Sequence, residues 1–189
     1  MRTRHPDWTF ISEPVDTWSS IRNERGESLL QVFYHDRKRW SYTFQNCALL
    51  TRYQNIEAAV RAAGATLSSG KHIFVTERCL ETDYHVFAKM LKDDNSLDEL
   101  EFSLYTRWFD MLQQTATPLR AVVHVKTDPG ECALRIQSRA REGEDSIPLE
   151  YLQSLEVYQN KWLESLAIPS IPTSSTDLAD VETFIMRLA

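Results

Sequence analysis

Three stretches of this sequence put carboxylates and guanidiniums where they could act on a small ligand. Glu13 closes an apolar run and opens the string Glu13-Pro14-Val15, with Trp18 just beyond. A carboxylate at a strand end can take a proton from a hydroxyl. The same residue could equally supply negative charge ahead of a helix whose first turn holds Pro14. Glu77 and Arg78 close a second apolar run, with Asp83 further on. An arginine beside a carboxylate can grip a charged group through forked hydrogen bonds, or simply form an ion pair with Asp83. In the third stretch Arg135 and Arg139 lie four apart on one helix face, Arg141 follows, and Glu144 sits in a polar link before Pro148. Guanidiniums so close repel unless an anion such as a triphosphate neutralises them, although arginines near a helix C-terminus also complement its dipole.

Between the first two stretches lie Phe33, Tyr34, Trp40, Tyr42 and Phe44. Aromatics at this density read first as core. With Gln45 and Arg52 beside them they would also make a flat apolar slot for a nucleobase, since a glutamine amide offers donor and acceptor together.

The elements that must position these residues follow from periodicity. Apolar runs at 8–12, 72–76, 121–126 and 167–171 lack polar alternation and read as strands buried on both faces. Residues 38–63 carry Phe44, Ala48, Leu49, Tyr53, Ile56 and Val60 at helical spacing and reach Gly64. Further helices are expected at 80–91, 96–114, 131–141, 148–163 and 180–188. Alternating strands and helices predict a single α/β domain over residues 1–189 with a mostly parallel sheet. In such sheets ligands bind beyond the carboxyl ends of the strands, where Glu13 and Glu77-Arg78 fall.

Bulk properties narrow the function. The chain has 189 residues, 42% hydrophobic and 25% charged, enough for one domain with a real core. A net charge of −6 with scattered Lys and Arg argues against a nucleic-acid partner. No apolar run approaches membrane-spanning length, so no membrane partner is expected. Cys47, Cys79 and Cys132 are far apart and odd in number, and the histidines show no ligand spacing, so no disulfide frame or metal site is assigned. The N-terminus lacks the apolar stretch of a secretory signal, which leaves the cytoplasm as the expected location and the mitochondrion open.

The strings EPVDTW, RWSYTFQNCALLTR, ERCLETDYHVFAKML and TDPGECALRIQSRAREGEDSIPLEYL occur in this order. Together, over about residues 8–162, they resemble the deoxynucleoside kinases of the deoxyguanosine and deoxycytidine kinase type. The resemblance implies a P-loop kinase-type three-layer α/β/α fold and transfer of the γ-phosphate of ATP, with Mg2+, to a deoxynucleoside 5′-hydroxyl. It gives Glu13 the role of base toward that hydroxyl, and Arg78 that of orienting it, with Glu77 beside it. Tyr34 and Glu144 match the residues holding the sugar 3′-hydroxyl. Gln45 matches the base-pairing glutamine, with Phe44 and Phe87 packing on the base and Leu30 and Trp18 lining the pocket. Arg135, Arg139 and Arg141 match arginines of a lid, here about 135–147, that closes over phosphates. The Arg52/Asp83 pair implies purine deoxynucleosides or deoxycytidine in preference to thymidine. A homodimer is implied, with the helices at 38–63 and 96–114 as its candidates.

Such kinases also carry a strand, a GxxxxGK[ST] loop and a helix ahead of these motifs. No such string occurs in these 189 residues. The nearest approach, Gly64 to Gly70-Lys71-His72, has its glycines one residue too far apart, a histidine for Ser/Thr, and a strand after it, so it reads as a turn. On this resemblance the first, central strand and the P-loop are absent from the chain. The expectation is then either a gap of about 9–10 Å or a direct pairing between the strands at 72–76 and 121–126. Two functions stay open: a kinase whose activity needs more than this chain, or a non-catalytic nucleoside-binding or dimer-partner subunit.

Overall fold

In the computed structural model, which describes residues 1–66, 72–144, 146–174 and 178–188, four short strands form two parallel pairs. Thr9–Ile11 (β1) runs beside Phe74–Thr76 (β2), with Thr9 opposite Phe74. Val122–Val125 (β3) runs beside Ser170–Thr173 (β4), with Val122 opposite Ser170. No ladder joins β2 to β3 among the described residues, so of the two expected arrangements their direct pairing does not form. The fourth strand lies a few residues beyond the expected 167–171 and contains Pro172. A proline is tolerated there because each strand of a two-stranded sheet is an edge.

The rest is helical. Val15–Ser20 (α1), Leu29–His35 (α2) and Arg37–Thr66 (α3) follow β1. Helix α2 is fixed by a capping box: Ser28 Oγ accepts from Gln31 N at 3.2 Å, and Gln31 Oε1 accepts from Ser28 N at 2.7 Å. Helix α3 extends past Gly64, so that glycine is helical; Gly70 and Lys71 lie outside the described residues. Beyond β2 the expected helix at 80–91 is three pieces: Leu80–Thr82 (α4), a π-helical turn over Asp83–Ala88, and Lys89–Asp93 (α5). Glu99–Gln113 (α6) is started by Asp98 and Glu101 in a second capping box. Pro129–Arg139 (α7), Leu149–Glu164 (α8) and Ala179–Leu188 (α9) complete the order.

The main core lies among α1, α2, α3, the π turn and α6, where Phe33, Leu49, Leu91 and Tyr105 are fully buried. Among the described residues no helix is long and apolar enough to cross a membrane. The three cysteines are free thiols.

Candidate functional site

The carboxyl ends of β1 and β2 meet the middle of α3, and a buried charge cluster forms there. On α3, Gln45, Ala48 and Arg52 recur at helical spacing on one face, and each is 2–3% exposed. Arg52 uses every arm of its guanidinium. Nε donates to Asp83 Oδ2 at 2.8 Å, Nη2 to Glu13 Oε1 at 2.9 Å and Nη1 to the Glu77 carbonyl at 2.7 Å. One side chain thus ties together the end of β1, the turn after β2 and the start of the π turn. A lysine could not do this, because it lacks the planar fork.

Glu13 has a second cation, Arg78 Nη1, at 3.2 Å. Burial alone would push its carboxyl up, but Arg78 and Arg52 outweigh that and hold it below the ordinary carboxylate value. Arg78 has a left-handed backbone, φ +64°, uncommon for a residue with a side chain. Its guanidinium lies 4.5 Å from the centre of the Phe87 ring, a cation–π contact. The sequence left open an ion pair between Arg78 and Asp83; Arg52 takes Asp83 and Arg78 takes Glu13. The Glu77 side chain is exposed and stands apart from the cluster. It lines a cavity of about 230 Å³ with Arg2, Phe10, Ile11, Ser12, Val75 and Thr76, while its carbonyl alone serves Arg52.

An aromatic wall adjoins the charges. Phe33 and Phe44 stack at 4.4 Å, Trp18 meets Phe44 edge-on at 5.2 Å, and Trp18 Nε1 donates to Thr51 at 3.0 Å. Leu30 is buried in the same cluster. Tyr34 meets Phe33 in this wall at 4.9 Å and Tyr151 edge-on at 6.3 Å. Burial pushes its phenol up to about 12; Arg78 opposes the shift, and Glu144 and Glu13 add to it.

In the turn after α7, Glu144, 5% exposed, receives Arg139 Nη2 at 2.5 Å and Arg141 Nη1 at 2.9 Å. Arg135 pairs instead with Glu131, one helical turn away, at 2.5 Å. The anions facing these arginines are therefore the protein's own carboxylates, and Arg135 stands apart from the other two. Gly143, φ +88°, lets the turn rest on α2, where an added Cβ would lie 2.7–2.8 Å from Gln31. Sequence reasoning missed Tyr105, fully buried with an unpartnered hydroxyl, and Glu131 as a counterion of Arg135. Only Glu131 had a visible signal, its i,i+4 spacing to Arg135.

A profile of the deoxynucleoside kinase family matches residues 1–186, so this chain belongs to the deoxynucleoside kinase family. It is 31% identical over 171 residues to the mitochondrial deoxyguanosine kinase of Xenopus laevis, covering 83% of this chain and 63% of that protein. It is 32% identical over 177 residues to deoxycytidine kinase 2 of Gallus gallus, covering 85% and 66%. With human deoxycytidine kinase the identity is 29% over 172 residues, covering 83% and 65%. The chain spans less than two thirds of the length of these relatives.

Proposed function

We propose that this chain carries the acceptor site of an ATP-dependent deoxynucleoside 5′-kinase. The observation that carries the reading is the Glu13 carboxylate, buried yet held ionised between Arg52 and Arg78 at the end of β1. An ionised base needs no prior deprotonation at neutral pH. Glu13 accepts the proton of the 5′-hydroxyl as that oxygen bonds to the γ-phosphorus. The bond from phosphorus to the bridging oxygen breaks, leaving ADP and the nucleoside 5′-monophosphate. Arg78 orients the hydroxyl and stabilises the developing charge. Tyr34 and Glu144 hold the sugar 3′-hydroxyl, and the base sits against Phe44 and Phe87 with its edge on Gln45. Trp18 and Leu30 close the slot.

The Arg52–Asp83 pair favours purine deoxynucleosides or deoxycytidine over thymidine. Arg139 and Arg141 exchange Glu144 for phosphate when a nucleotide binds, and Arg135 adds charge at the rim. Mg2+ would come with the nucleotide phosphates, since the described residues contain no group of three or more potential ligands of their own. A homodimer is supported by α6, whose Leu100, Leu104, Trp108 and Met111 form an exposed stripe at helical spacing, with Leu50 exposed on α3.

A second reading rests on a separate observation. These 189 residues contain no GxxxxGK[ST] string, and Glu144 already neutralises Arg139 and Arg141. On that reading the chain binds a deoxynucleoside without phosphorylating it. The test is to measure phosphoryl transfer from ATP and deoxynucleoside binding on this chain, with deoxyguanosine, deoxyadenosine, deoxycytidine and thymidine. Binding with transfer supports the kinase, and binding without transfer supports the second reading. No binding of any of the four would remove both.

A further inference from the structure

Arg37, Asp93, Asp94 and Glu150 line a cavity of about 320 Å³ where three helix ends converge. Arg37 is the first residue of α3, Asp93 closes α5 with Asp94 just after it, and Glu150 lies in the first turn of α8. Buried Met90 and Tyr151 line the same cavity. Two of these placements work against the helices that carry them. A cation at the start of a helix and carboxylates at the end of one both oppose the helix dipole. Nor do the charges neutralise one another across the cavity. The Arg37 guanidinium stands over the Tyr151 ring, 5.1 Å from its centre, but it forms no ion pair with a described carboxylate, and its Nε is buried without a hydrogen-bond partner. Asp93 accepts from the Tyr158 hydroxyl, and Asp94 Oδ1 from Ser96 N at 2.8 Å. Glu150 makes no hydrogen bond or ion pair among the described residues. A buried donor left unmatched is costly, so a ligand that met it would be held there.

We propose that this cavity is a second ligand site, for a free basic amino acid such as lysine. A simple anion would pair with Arg37 but meet three carboxylates. A simple cation would suit the carboxylates but leave Arg37 unmatched. A zwitterion answers both, its carboxylate on the Arg37 fork and its ammonium toward Asp94 and Glu150. One guanidinium against three carboxylates leaves the lining with surplus negative charge, which favours a second ammonium group and so a basic over a neutral amino acid. The volume lies at the small end of ligand sites and suits one residue rather than a length of chain. None of the acceptor-site residues lines this cavity, so the inference stands apart from the acceptor-site reading.

The test is titration calorimetry at low ionic strength with L-lysine, with cadaverine, which lacks only the carboxylate, and with L-norleucine, which lacks only the side-chain ammonium. L-Lysine should bind, cadaverine about ten-fold more weakly, and L-norleucine about three-fold more weakly. Arg37→Met keeps an apolar stem over Tyr151 and removes the guanidinium. It should weaken L-lysine about ten-fold and leave cadaverine no weaker, a split that a purely structural role for Arg37 would not give. Glu150→Gln, at an exposed position, should weaken L-lysine and cadaverine alike by about three-fold. No binding of L-lysine to the wild-type chain, equal affinities for L-lysine and cadaverine, or equal losses of both in Arg37→Met would overturn the proposal. Should Arg37→Met not fold, unchanged L-lysine binding in Glu150→Gln would overturn it as well.

Discussion

The cluster around Arg52 and the turn around Glu144 are built from the same residue types, in opposite proportions. In the first, one arginine with a 2%-exposed side chain is enclosed by Asp83, Glu13 and a backbone carbonyl. In the second, one buried carboxylate gathers two arginines whose side chains are 50% and 33% exposed. A buried cation with each guanidinium nitrogen bonded is a fixed part of the scaffold, because no alternative partner can reach it. Exposed arginines sharing a single carboxylate can exchange it for another anion. The comparison separates a fixed charged frame from a clasp whose arginines another anion can reach.

Breaking the frame should have the largest effect. Arg52→Met leaves Asp83 with an uncompensated buried charge and Glu13 with Arg78 alone, and should cost about 3–5 kcal/mol, read from urea unfolding. Adding Asp83→Leu should recover part of that loss. A loss under about 1 kcal/mol for Arg52→Met would show that the two regions do not differ in kind. In the clasp, Gly143→Ala combines a left-handed backbone with a Cβ pressed onto Gln31, and should cost about 1–3 kcal/mol. Glu144→Gln releases Arg139 and Arg141. It should weaken folding by about 1–2 kcal/mol while tightening the binding of inorganic triphosphate, measured by calorimetry. Unchanged triphosphate binding would mean that the arginines are not interchangeable between Glu144 and phosphate.

The pH dependence sharpens the same contrast. Glu13 is lowered in the folded chain, so its contribution to stability is complete above its ordinary value of 4.5 and is lost as pH falls through the lowered value. Wild type and Glu13→Gln should therefore differ in urea midpoint at pH 6 and converge in acid. Smallest of all, Arg135→Ala removes an exposed i,i+4 pair and should change stability by less than about 0.5 kcal/mol.

Much of this was legible in the chain before any coordinates. The spacing of Phe44, Ala48 and Leu49 marked the long helix, and the unbroken apolar runs marked all four strands to within a few residues. Arg52 was noted, with Gln45, beside the aromatic set. The resemblance supplied Asp83 as its partner, whereas Glu13, 39 residues away, was not legible as a second one because only the fold brings it to the same guanidinium. The reading of the three lid arginines as awaiting an outside anion also overlooked Glu131 and Glu144, whose pairing depends on side-chain direction. Helices α1 and α2 are too short for periodicity to declare, and the positive φ of Arg78 has no glycine to announce it.

The π turn over Asp83–Ala88 has a consequence for how this segment tolerates change in length. A wide turn contains one residue more than the α-helix it interrupts, so everything after it is rotated by about 100° relative to an unbroken helix. Asp83, the first residue of the turn, is anchored to Arg52, while Met90 and Leu91, behind it, are buried in the core. Deleting one residue of the turn other than Asp83 would restore regular winding and leave Met90 and Leu91 facing the core, because the turn already holds that residue as a surplus. Loss of a single residue is therefore absorbed in this stretch, whereas in the uninterrupted helix α6 it would turn every later side chain by about 100°.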